Sequence, residues 1–115
     1  MTKMLALIVG LVSFNALANT TYTDVTEYTN RTASDYCGKS QECKVDFSQK
    51  LLYAYKDGEK DGASSRFKAS TLIKRYYKKW QILECSVAEP KDKAACNSMV
   101  DRLVDSYTRG LVASD

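Results

Sequence analysis

Residues 57–62 read Asp-Gly-Glu-Lys-Asp-Gly. Carboxylates at alternate positions followed by glycine are the opening of a calcium loop. Asp57, Glu59 and Asp61 would supply hard oxygen ligands there. The pattern then fails. Counted from Asp57, the position where a bidentate glutamate closes such a loop is occupied by Lys68, a cation where an anion is required. No metal site and no cofactor are expected. Gly58 and Gly62, four apart, read instead as a packing or turn device. In a continuous helix they share a face and let a neighbour approach; in an interrupted one they are turn and C-cap positions.

Cys37, Cys43, Cys85 and Cys96 are the other chemistry-bearing set. The spacings C-x5-C and C-x10-C are wider than the close pairs of zinc modules. An even cysteine count in a small exported chain reads as two disulfides, and four cysteines allow three pairings. Proximity favours Cys37 with Cys43 and Cys85 with Cys96.

Enzyme chemistry has little to work with. The chain has no histidine. That removes Ser-His and Cys-His nucleophile pairs and the common zinc-hydrolase ligands. No phosphate loop, dinucleotide fingerprint or nucleophile elbow is present. The expectation is a protein that acts by binding and is not an enzyme.

Export is read from the start of the chain. Lys3, an apolar run over 4–14 and the cleavage pattern Ala16-Leu17-Ala18 read as a signal peptide over 1–18, cut after Ala18. The apolar run is shorter than the ~20 residues that span a bilayer; a retained anchor is the competing reading. The expected location is periplasmic or secreted. Loss of Lys3 leaves 16 Lys and Arg against 14 Asp and Glu. That balance decides little by itself, but its distribution is uneven. Between Gly62 and Leu83 there is no acid, while Arg66, Lys68, Lys74, Arg75, Lys78 and Lys79 all fall there.

The elements that must position these residues are helical. A Thr-rich arm over 19–36 carries β-branched residues that argue against a stable helix. A disulfide-stabilised helical domain is expected over 37–115. Ser40 is placed to cap a helix over 41–56, with Val45, Phe47, Leu51, Leu52 and Tyr55 on one face. Ser64 or Ser65 would cap a second helix ending near Cys85. Its apolar positions are Ala69, Leu72, Ile73, Tyr76, Tyr77, Trp80 and Leu83. A third is expected over 94–112, with Cys96, Met99, Val100, Leu103, Val104, Tyr107 and Leu111 facing the core. The fold class is all-α: three helices and two local clips.

The second of these helices is the candidate binding surface. Arg75, Tyr76, Lys79 and Trp80 combine the residue types that anchor protein interfaces. The expected partner is another protein. Export disfavours nucleic acid, and an anionic membrane surface is the alternative that a basic amphipathic helix also fits.

One stretch resembles a known family. Residues 32–43, TASDYCGKSQEC, are similar to the disulfide loop of the periplasmic lysis-inhibition antiholins of T-even phages, with Cys37, Glu42 and Cys43 matching and residues 44–55 as the helix that follows. The resemblance implies sequestration of a holin's periplasmic domain. The order of cysteines, helices and spaced glycines is also similar to small periplasmic immunity proteins, which implies a cell-wall-attacking toxin as the partner.

Overall fold

A computed structural model describes residues 24–113. The proposed leader, its cut after Ala18 and the first residues of the Thr-rich arm lie outside these residues. Within them the chain is all-α: α1 over 24–37, α2 over Gln41–Ser64, α3 over Ala69–Trp80 and α4 over Lys93–Ala113. Among the described residues there is no strand, and no helix is long and apolar enough to cross a membrane.

The count of three helices is therefore corrected to four. The additional one, α1, comes from the Thr-rich stretch, where intrinsic propensity argued against helix. Packing overrides propensity there. Val25, Thr29 and Ala33, spaced by four, form a buried stripe. The Thr29 hydroxyl donates to the Thr26 carbonyl, which satisfies a side chain that is otherwise costly to bury. Two tyrosines fasten the outer face: Tyr28 donates to the Asp105 carboxylate, and Tyr36 donates to the Ala95 carbonyl at 3.3 Å.

Helix α4 is the element that the other three touch. It carries a buried stripe of Val100, Leu103, Ser106, Tyr107, Gly110 and Leu111. α2 runs alongside it in the same direction: the Ser106 hydroxyl donates to the Leu51 carbonyl at 2.6 Å, and one turn on Gly110 abuts the backbone of Tyr55. Gly58 sits against the backbone of Tyr107 and Leu111. This pair of glycines answers the question posed by residues 57–62. The stretch is neither loop nor turn but the interior of α2, and Gly58 is a point of close helix contact.

The cap expected at Ser40 is present, its hydroxyl accepting from the Cys43 N–H at 3.2 Å. Gly38, at φ 63°, makes the left-handed turn between α1 and α2. Cys37 pairs with Cys43 across this corner, and Cys85 pairs with Cys96, each with a Cα separation of 5.6 Å. The second bond ties the end of the α3 segment to α4 over the Pro90–Asp92 turn. Opening it with the double substitution Cys85→Ser, Cys96→Ser is expected to lower stability by about 3 kcal/mol, the loop-closure value for a loop of this size. A urea midpoint unmoved by that change would show that the bond constrains nothing the helices do not already hold.

α3 does not continue unbroken to Cys85. It gives way after Trp80 to a wider turn over Gln81–Cys85, closed by the Ser86 N–H donating to the Gln81 carbonyl at 3.0 Å. This i to i+5 bond makes it a π-turn. It changes which residues face the core.

Candidate functional site

The second half of α2, one side of α3 and Tyr107 of α4 line a polar cleft of about 600 Å³. α2 supplies Asp57, Lys60 and Asp61; α3 supplies Arg75, Tyr76 and Lys79; α4 supplies Tyr107. Two acids of the calcium-like stretch, Asp57 and Asp61, are thus in this cleft, but as hydrogen-bond acceptors. Tyr76 donates to Asp57 at 3.1 Å and Tyr107 donates to Asp61 at 2.6 Å. The two rings stack with centroids 3.9 Å apart and planes 9° from parallel. The reason lies in helix geometry. Residues four apart share a face, so Asp57 and Asp61 converge, whereas Glu59 between them is turned away. Among the described residues no group of three or more acidic, Cys or His side chains is placed to hold a metal ion.

Burial holds the Tyr76 hydroxyl well above its ordinary value of 10.0. The Asp57 and Asp61 carboxylates add to that shift, while the Trp80 indole opposes it. Tyr107 is raised for the same first reason, with its bond to Asp61 next. Burial first, and the Asp105 carboxylate next, push Tyr28 up to about 12, while the Arg109 guanidinium 4.0 Å from its ring opposes the shift. The folded chain therefore holds these phenol protons more tightly than the unfolded chain does. Their stabilisation is complete below pH 10 and is lost as pH rises past 10 through the folded values. Urea midpoints taken from about pH 9 to pH 12 should fall, and Tyr107→Phe should flatten the slope. An unchanged slope in that variant would remove Tyr107 from the account. At neutral pH these hydroxyls are protonated donors, and none is poised as a base or nucleophile.

The candidate contact residues separate into two groups. Arg75 and Lys79 are exposed. The Arg75 guanidinium lies 4.8 Å above the exposed Phe67 ring, and Lys79 lies 5.5 Å from the Trp80 ring centroid. Trp80 is half-buried against the core, and its indole N–H has no acceptor at hydrogen-bond distance among the described residues. Tyr76 is 7 % exposed. It packs in the core, its ring stacked on Tyr107 and its hydroxyl bonded to Asp57. Phe67 was missed, and the acids Asp57 and Asp61, read from the sequence only as the opening of a calcium loop, were not foreseen as partners of tyrosines. The four-residue spacing of the acids was the available signal.

None of Lys74, Arg75, Lys78 and Lys79 has a carboxylate within 4.0 Å among the described residues. The two neighbouring acids are occupied: Glu84 faces Lys50 at 4.0 Å and Glu89 faces Lys91 at 3.6 Å. The outer side of α3 is thus a run of uncompensated positive charge.

Comparison with known proteins overturns both family resemblances, the one read from residues 32–43 and the one read from the order of cysteines, helices and glycines. The model of the valyl-tRNA ligase modifier family matches residues 1–113. The chain is 67% identical over 113 residues to a protein of Enterobacteria phage T4 described as valyl-tRNA ligase modifier, covering 96% of this chain and 97% of the relative. No solved structure matches. The antiholin and immunity readings, with their periplasmic holin and toxin partners, are withdrawn. The first rested on a short disulfide loop, with Cys37, Glu42 and Cys43 matching, and the second on the order of cysteines, helices and spaced glycines; both are features that unrelated small helical proteins can share. A match along almost the whole chain outweighs them, and the chain belongs to the valyl-tRNA ligase modifier family.

Proposed function

We propose that this chain is a regulatory protein that binds valyl-tRNA ligase and alters it by association, without catalysis of its own. The observation that carries this reading is the 67% identity, across nearly all of both chains, to the phage T4 protein described as a modifier of that ligase. The site chemistry is in keeping with it. The cleft holds protonated tyrosines hydrogen-bonded to carboxylates, and the chain has no histidine to act near neutral pH. The exposed features are cations and apolar side chains, the materials of a docking surface.

The test uses purified oxidised chain and an enterobacterial valyl-tRNA ligase. Gel filtration of the mixture should give one complex of fixed stoichiometry, and the kinetics of tRNA charging by the ligase should change on titration to that ratio. Failure to form a complex at about 10 μM, well above typical affinities for specific protein pairs, would sink the reading. A substoichiometric amount of the chain that changes all of the ligase permanently would instead show that it is a catalyst.

A further inference from the structure

The π-turn over Gln81–Cys85 is the one break in the regular register of α3. In an unbroken α-helix the core stripe of Leu72, Tyr76 and Trp80 would continue to Leu83. Cys85, nine residues beyond Tyr76, would lie about half a turn away from the core. The structure has the reverse. Cys85 is 4 % exposed and bonded to Cys96, whereas Leu83 and its neighbour Ile82 are each 57 % exposed, and Val87 just beyond is 82 % exposed. The extra residue in the turn rotates the cysteine inward and the aliphatic side chains outward. Three large aliphatic residues in six positions, turned to solvent beside the cations of α3, are not what a free surface requires.

We infer that Ile82, Leu83 and Val87 form the apolar centre of a protein-docking surface whose partner presents an apolar pocket rimmed by carboxylates. The inference rests on the proposed function, in that the partner tested is valyl-tRNA ligase. Charge decides the rim. Lys74, Lys78 and Lys79 lie one to two turns before the patch without ion pairs among the described residues, and the one acid within it, Glu84, faces Lys50. A basic rim around an aliphatic centre is complementary to an acidic rim around an apolar pocket. A lipid surface fits less well. A membrane-lying helix buries one long apolar face, and the apolar face of α3, with Leu72 and Tyr76, is already turned into the core. What remains outside is the short π-turn segment, with Tyr77 and Phe67 exposed singly and not as a continuous apolar face.

The experiment compares the wild-type chain with Ile82→Glu/Leu83→Glu and with the control Val45→Glu, which alters an aliphatic residue of similar exposure on α2. Circular dichroism and thermal melts establish that all three are folded. The double variant should bind the ligase at least about tenfold more weakly, chiefly through faster dissociation, while the control stays within about twofold. Equal affinity of the folded double variant would overturn the surface and leave the proposed function standing. A wild-type chain that does not bind the ligase would overturn both. Two other occupants have their own readouts. Wild-type self-association in sedimentation that the double variant abolishes, or wild-type binding to phosphatidylglycerol vesicles that it abolishes, would each overturn the ligase surface if ligase affinity is unchanged.

Discussion

Replacing Gly58 with alanine is expected to destabilise the bundle by about 3 kcal/mol, at the upper end of the usual overpacking range, although alanine is the better helix former by about 1 kcal/mol. A Cβ on Gly58 would land on the carbonyl oxygen of Tyr107 and stand 2.9 Å from the Leu111 nitrogen. Both obstacles are backbone atoms, which cannot swing aside as a flexible side chain does. Relief requires α2 and α4 to separate. Separation loosens the contacts that depend on their closeness: the bond from Ser106 to Leu51, and the packing around Leu51, Leu103 and Tyr107, each no more than 1 % exposed. Gly110→Ala meets the same fate from the other side, because its Cβ would land on the Tyr55 carbonyl. The double variant should cost less than the sum of the two, since both act on one interface that the first has already opened. Urea or thermal unfolding measures all three. A Gly58→Ala protein as stable as wild type would mean that the two helices can part at no cost.

The helical fold class was legible because periodicity and caps were written locally. The stripes at Leu72 and Tyr76 and at Val100, Leu103, Tyr107 and Leu111, and the cap at Ser40, needed no tertiary information. What was hidden depended on partners distant in sequence. α1 is a helix because Val25, Thr29 and Ala33 find a core, and Tyr28 finds Asp105, seventy-seven positions away. Gly58 was visible as a small residue, but its counterpart Gly110 had no marker of its own. At the site, Arg75 and Lys79 were placed on the surface by their charge. The burial of Tyr76 was not legible, because tyrosine serves cores and interfaces equally well and its stacking partner Tyr107 is thirty-one positions on. Leu83 and Cys85 exchanged faces because one additional residue per turn is invisible to a 100° periodicity.

Reversing the two exposed cations of the cleft, Arg75→Glu with Lys79→Glu, is expected to slow association with valyl-tRNA ligase about tenfold or more at low salt. Neither side chain is held in an ion pair among the described residues; both lie over rings, Arg75 on Phe67 and Lys79 on Trp80. Their charge is therefore directed outward and acts on an approaching partner. Charges at the rim of an interface act mainly on encounter, so the association rate should carry most of the change. With a screening length of about 10 Å at 0.1 M, added salt should slow the wild type toward the variant and affect the variant less. Tyr76→Phe is the contrasting case. It removes the bond to Asp57 at a cost of about 1 kcal/mol in stability and should leave the association rate alone, because the ring is buried. Surface plasmon resonance across a salt series, with each variant first shown to be folded, separates these outcomes. If the double reversal leaves both the rate and its salt dependence unchanged, the basic side of α3 is solvated charge and the ligase is met elsewhere. If Tyr76→Phe slows association, the cleft must open in the complex and expose the tyrosine stack to the partner.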